Sequence, residues 1–440
     1  MKNPIEDFKA VLPDTAEINQ RGHLAIGGCD AVDLAEEFGT PLYVFDDATL
    51  RGKCREYVRE FRNRYPETLV IYACKASINR ILARIFEEEG LGLDVVSGGE
   101  LHIARSAGFP MEKVYFHGNN KSEAELRLAL ASGVGRIVVD NFLELSVLDR
   151  VAQRMGRRQK VLLRLSPGID PHTHAKTSTG IVDSKFGFLI QTGHAAQAVA
   201  QALAAPGLEL VGLHIHLGSP IFETEPYRAG IETVFHFAAR MKAEHGFAMK
   251  EFSPGGGFAI PYLRTQTAPS VAEYAEAITG TLKGLSEKLG FDPPKLIIEP
   301  GRSIVGRAGV ALYRVGSRKE IPGVRTYVSV DGGMSDNIRP ALYEAKYEAL
   351  AVNKMLEEPA ERVTLAGKHC ESGDILVKDV DLPRLEPGDI VALPVSGAYC
   401  LAMSSNYNAS LKPAVVLVKD ELARVIQRRE TFEDLLRRDI

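Results

Sequence analysis

The sequence predicts an α/β protein: a (β/α)8 TIM barrel followed by a C-terminal all-β domain. Three observations lead there. Eight short β-rich runs recur between residues 69 and 301, most of them apolar at consecutive positions, as in strands buried on both faces. Stretches with helical period separate them. Beyond residue 310 those periods stop, and short strands between Pro/Gly turns take over.

The runs are LVIYACK (69–75), GLDVVS (92–97), VYFHG (114–118), RIVVD (136–140), KVLLRLS (160–166), LVGLHIHLG (210–218), EFSPGGG (251–257) and LIIEPG (296–301). Between the first two, residues 78–89 place Ile78, Ile81, Leu82, Ile85 and Phe86 on one helical face, with Gly90 as a stop signal. Similar periods occupy 122–132, 143–155 and 227–246. The alternation favours a closed barrel over a doubly wound open sheet. No GxGxxG follows an early strand, and polar groups end almost every strand instead of gathering at one switch point. The barrel is expected over 46–310. A β-rich domain is expected from 1–45 and 311–440, with LEPGDIVAL as a turn entering a strand and a helical insertion over 338–350.

Composition narrows the function classes. The 440 residues are 45% hydrophobic and 25% charged, ordinary globular values. A net charge of −4 gives no reason to expect nucleic acid or an anionic membrane as partner. The N-terminal stretch lacks an apolar core, and no window approaches a membrane span. Cys29, Cys54, Cys74, Cys370 and Cys400 are scattered without CxxC spacing, so a reducing, cytoplasmic setting without disulfides is expected.

In such a barrel the C-terminal strand ends face the active site. Here they carry Lys75, Asp94 with Ser97, His117, Asp140, Ser166, His216 with Ser219, Gly255–Gly257, and Glu299 with Arg302. This set suits a pyridoxal 5'-phosphate site. A lysine amine forms a Schiff base with an aldehyde. Glycine N–H groups approach a phosphate without side-chain interference. An acid beside the pyridine nitrogen strengthens the ring as an electron sink. Each element has a plainer reading: a tight turn at GGG, an ion pair at Glu299, a satisfied core histidine at His216. Their joint occurrence at successive strand ends favours the coenzyme. Two HxH pairs, His172/His174 and His214/His216, raise the alternative of metal ligation. No third ligand is evident, and a metal would explain neither Lys75 nor the glycines, so none is expected.

The motifs YACKAS, DVVSGGEL, FHGNNKS, DPHTHAKTSTG, GGGF, EPGRSIVG, MSDNIRPALYEA, CESGDIL and GAYC…MSSNYN stand in the order found in fold-type III pyridoxal-phosphate decarboxylases. The chain resembles that family over essentially its whole length, and HGNNKS and CESGD are typical of its diaminopimelate branch. Two positions depart from the family pattern. Ser77 stands where asparagine is usual, and Pro220 where glutamine is usual. The resemblance implies decarboxylation of meso-2,6-diaminopimelate to L-lysine and CO2. It implies Lys75 as the coenzyme lysine, Glu299 at the pyridine nitrogen and His216 stacked on the ring. The phosphate falls to Ser219, Gly256, Gly257, Gly301, Arg302 and Tyr399. Substrate contacts fall to Arg302, Arg339, Tyr343, Glu371 and Tyr399, with Cys370 returning a proton. It further implies a homodimer with shared active sites, to which the β-rich domain contributes. Related decarboxylases of ornithine, arginine, carboxynorspermidine or a carrier-bound amino acid are the alternative. A non-catalytic coenzyme carrier is disfavoured by the second domain and the Cys370 motif.

Overall fold

The computed structural model describes residues 4–169, 179–180 and 183–440; the His172/His174 pair lies outside them. Eight strands form the barrel: β1 Thr68–Ala73, β2 Gly92–Val95, β3 Val114–Phe116, β4 Arg136–Val139, β5 Gln159–Ser166, β6 Leu208–His214, β7 Glu251–Gly255 and β8 Lys295–Ile298. Each pairs in parallel with the next. The ring closes where β8 returns to β1, with Leu296 opposite Thr68. Closure rules out the open sheet.

Local chemistry fixes where the crossover helices begin. Asn79 caps Arg80–Glu88, accepting from the N–H groups of Ile81 and Leu82 at 3.0 and 2.9 Å. Ser97, Ser122 and Asn141 cap the next three helices in the same way. Ser122 and Glu125 form a reciprocal capping box. Each cap lies within a few residues of a strand end, so the chain leaves the barrel mouth along a defined path.

Leu69, Ile71, Tyr115, Val138, Leu162, Val211 and Ile297 form one buried cluster drawn from six strands. Burying each such side chain contributes about 1.5–3 kcal/mol. Side chains alternate across a strand, so a residue two positions beyond an interior one faces the interior again. Two beyond Tyr115, Val138, Leu162 and Ile297 stand His117, Asp140, Arg164 and Glu299, and all four are buried. The apolar layer therefore carries a polar layer directly above it, at the C-terminal mouth. At the other end Arg136 pairs with Glu251, which also accepts from Tyr115 Oη at 3.1 Å.

The chain divides into two compact units. One contains residues 54–259 and 268–301; the other contains 1–53, 260–267 and 302–440. The second unit is built on a large sheet in which Leu42–Asp46 lies between Gly309–Ile321 and Ala414–Lys419. Leu24, Ile26, Leu42, Val44, Val310 and Leu312 belong to its core. The expected helix over 338–350 is a correction: only Arg339–Tyr343 is helical. Glu344 takes a left-handed conformation (φ 55°) and ends the helix, and Leu350–Ala351 is already a strand. Among the described residues no helix is long and apolar enough to cross a membrane.

Within this unit the buried Asp336 accepts hydrogen bonds from Tyr313 and Tyr43. Burial pushes its carboxyl up to about 6 from 3.8, against the opposing hydrogen bonds. Folding thus favours the protonated acid. That contribution to stability is complete below pH 4 and lost as the pH rises through 6, a change of about 3 kcal/mol. Asp336→Asn should abolish this component, visible as a narrowing gap between wild-type and variant urea midpoints across that window.

Candidate active site

Lys75 stands in a single 3-10 turn, Cys74–Ala76, directly after β1. Every other residue of 68–77 is buried, and Lys75 alone is exposed. Burial depresses His216 and His117, and the Lys75 ammonium adds to that effect while partly offsetting the rise of Asp94, which places it in the field of the polar layer. The turn is braced from both sides. Tyr72 Oη donates to the Ser77 carbonyl at 2.6 Å, and Ala73 N–H donates to the Pro300 carbonyl at 3.1 Å. The Ser77 contact uses the backbone, and the asparagine cap comes from Asn79, so serine at 77 leaves the local fold intact.

Glu299 is the electrostatic centre of the barrel mouth. Ser253 Oγ donates to Oε1 at 2.7 Å, and His214 Nε2 lies 3.2 Å from Oε2. His117 Nε2 lies 3.7 Å from Oε1. Burial opposes ionisation of this carboxyl, but the two imidazoles and the serine hydroxyl outweigh it and hold Glu299 well below the usual carboxylate range. Burial also pushes the His117 and His214 imidazoles down; His214 meets Glu299 through a hydrogen bond, and His117 stands alongside without one. Asp94 moves the other way: burial and the Glu299 charge push it well up. Two carboxyls at one barrel mouth are thus driven in opposite directions.

Ligand atoms of His117, His214 and Glu299 lie within 4.8 Å of one another, a grouping that takes one histidine of the His214/His216 pair and not the other. Both Glu299 oxygens already accept hydrogen bonds, from Ser253 and His214, whereas among the described residues His117 Nε2 and His214 Nδ1 have no hydrogen-bond partner. The two histidines of the pair also separate in role. His214 turns to Glu299, whereas His216 Nδ1 accepts from Gly256 N–H at 3.3 Å and packs at the glycine turn.

That turn needs glycine for steric reasons as well as any ligand. A Cβ on Gly256 would sit 2.1 Å from the Glu299 carbonyl oxygen, and one on Gly257 would sit 2.3 Å from that of Gly218. Gly257 also has φ +100°. The Ser219–Pro220 loop is tied to it by Ile221 N–H donating to the Gly257 carbonyl at 2.8 Å. Gly301 lies against Ala73, beside the lysine turn.

A second group gathers in the β-rich unit. Arg302 and Arg339 are both buried. The Arg302 guanidinium lies 4.6 Å over the Tyr399 ring, and that tyrosine adopts φ +60°. Such a conformation costs about 1–3 kcal/mol outside glycine and concentrates at functional sites. Burial works against the Arg339 charge, but Tyr262, Tyr347 and Cys400 outweigh it and hold it ionised. No carboxylate pairs with Arg339 among the described residues. Tyr343 is half-buried at the end of the short helix. Cys370 and Glu371 are exposed on a loop that the Asp374 carboxylate closes, accepting from Met334 and His369 N–H at 2.6 and 2.9 Å. Neither hydrogen-bonds or ion-pairs with Arg302 or Arg339 in this chain.

Sequence reasoning missed Ser253, Arg164 and the orientation of His214. Ser253 and Arg164 sit on the inward parity of their strands, and that alternation was the available signal; His214 follows a register shift between Leu210 and Gly212 that alternation does not register. Lys121 of HGNNKS turns out to be internal: it pairs with Glu144 at 2.8 Å and donates to the Gly118 and Val138 carbonyls.

Comparisons with known proteins agree with this geometry. The family described as "Pyridoxal-dependent decarboxylase, pyridoxal binding domain" matches residues 51–306. The diaminopimelate decarboxylase of Bacillus subtilis is 47% identical, covering 98% of both chains. That of Synechocystis is 46% identical, covering 98% of this chain and 92% of its own. The crystal structure of diaminopimelate decarboxylase from M. jannaschii in complex with L-lysine superposes with a TM-score of 0.91 at 36% identity, covering 97% and 98%. A lysine/ornithine decarboxylase from Vibrio vulnificus, at 24% identity and TM-score 0.75 over 88% and 98%, shares the fold. With its lysine turn, its buried glutamate and relatives along nearly its full length, the chain belongs to the diaminopimelate decarboxylase family of pyridoxal-dependent decarboxylases.

Proposed function

We propose that the protein decarboxylates meso-2,6-diaminopimelate to L-lysine and CO2 with pyridoxal 5'-phosphate bound at the barrel mouth. The observation that carries this is Glu299: a buried carboxyl held low by His214, His117 and Ser253, at the same barrel mouth as an exposed lysine. The residues fit the coenzyme. Asp94 Oδ1, His117 Nε2 and His214 Nδ1 are buried polar atoms with no hydrogen-bond partner among the described residues. An anionic acceptor beside them suits a pyridine N–H.

When bound, the coenzyme supplies an electron sink for the pair left behind as the α-carboxylate departs. Lys75 Nζ would anchor it covalently, Glu299 would hold the proton on its ring nitrogen, and His216 would pack against the ring. Ser219, Gly256, Gly257, Gly301, Arg302 and Tyr399 take the phosphate. Arg339, a buried cation without a carboxylate partner, reads the distal carboxylate of the substrate, with Arg302, Tyr343, Glu371 and Tyr399 completing recognition. Cys370 Sγ returns a proton to the carbon that lost its carboxylate. The exposure of Cys370 and Glu371 supports the further reading that their loop serves a second copy of the chain, in a homodimer with shared sites. The free thiols suit a reducing compartment, and we place the enzyme in the cytoplasm.

Borohydride reduction of the coenzyme-loaded protein followed by peptide mapping should fix the label on the peptide containing Lys75; a label elsewhere refutes the assignment. CO2 release should occur from meso-diaminopimelate and not from ornithine, arginine or lysine. Glu299→Gln should retain coenzyme absorbance while lowering kcat on the order of 10²-fold. Cys370→Ala should lower it by about 10²–10⁴. Mixing Lys75→Ala with Cys370→Ala protein should restore part of the activity if sites are shared between subunits.

A further inference from the structure

We infer that Tyr262 is a positioning residue: it fixes the separation of the Arg302 and Arg339 guanidiniums and so sets the preference for a substrate bearing a second carboxylate. The inference rests on the reading of Arg339 given above. Tyr262 meets the two arginines through different parts of one side chain. Its hydroxyl accepts from Arg302 Nη1 at 2.8 Å, and its ring face lies 4.5 Å from the Arg339 guanidinium. A ring face attracts the cation without consuming its N–H groups, which stay available to a carboxylate.

Tyr347 completes the bracket. Its ring stands edge-on to Tyr262, with centroids 5.4 Å apart and an interplanar angle of 89°. Its hydroxyl accepts from Arg339 Nη1. Burial keeps that phenol protonated, so its own hydrogen passes to Cys400 Sγ at 3.5 Å, and the thiol points to the Ala398 carbonyl at 3.7 Å. Every donor in this chain points the same way, from Arg339 to a backbone carbonyl, and the order keeps a Tyr347 lone pair facing the guanidinium.

The backbone beneath Tyr262 is pinned as well. Its N–H donates to Gln266 Oε1 at 2.9 Å, and Arg264 N–H donates to Glu348, the neighbour of Tyr347, at 2.9 Å. Residues 260–267 belong to the β-rich unit although barrel sequence flanks them on both sides. The excursion delivers one tyrosine between two buried cations. The distance between those cations is the distance between the carboxylates they can grip together.

The test compares coenzyme-loaded wild type with Tyr262→Phe and Tyr262→Leu. The readouts are kcat and KM for meso-diaminopimelate, and calorimetric binding of pimelate against heptanoate, a diacid and a monoacid of equal length. Tyr262→Phe keeps the ring face and loses the acceptor for Arg302. It should raise KM about tenfold with kcat within about twofold, and shrink the pimelate preference by about the same factor. Heptanoate binding, coenzyme absorbance and the thermal midpoint should not move. Tyr262→Leu should lose more of the diacid preference; if it fails to fold, the phenylalanine variant still decides. Equal loss of diacid and monoacid binding, or an unchanged preference, overturns the inference. A wild type that binds pimelate in a Tyr262-dependent way yet releases no CO2 would refute the proposed reaction and leave the role of Tyr262 standing.

Discussion

The barrel mouth depends on keeping one negative charge in a place that disfavours charge. Transferring a carboxylate from water into a protein interior costs several kcal/mol unless hydrogen bonds replace the lost water. Glu299 receives that replacement from Ser253 on β7 and His214 on β6, with His117 beyond β3 alongside. Three strands must therefore end in register for the charge to persist. The closed ring of parallel strands meets that requirement, because β6, β7 and β8 are direct neighbours.

The same geometry separates two acids that look alike in the sequence. Asp94 and Glu299 both follow apolar strand residues and both face inward. Their surroundings push one down and the other up. A carboxylate held in this way is oriented before any cation approaches it, so little reorganisation is left for that moment.

Much of this is readable from residue order because strand alternation is a rigid rule. Polar residues two positions past an apolar inward residue announce the mouth of a barrel, and the caps at Asn79, Ser97, Ser122 and Asn141 announce where each helix starts. What could not be read depends on contacts distant in the chain. His214 and His216 share a parity, yet only one meets Glu299, since the strand ends between them. Lys121, within the HGNNKS motif, fills a buried ion pair with Glu144 that no local pattern announces. The helix expected over 338–350 stops at Tyr343 because Glu344 turns left-handed, which periodicity does not register. Tyr262 carried no motif at all: its meaning comes from two arginines 40 and 77 positions further along.

The way residues 260–267 leave the barrel stretch has a consequence for anyone recombining such proteins. The polypeptide passes from one unit to the other four times, after residues 53, 259, 267 and 301. A chimera spliced at a single junction would graft a barrel whose excursion still carries its original tyrosine into a foreign β-rich half. Exchange of halves between relatives therefore calls for matched cuts at all four seams, and inheritance of the fold would favour replacement of the gene as a whole.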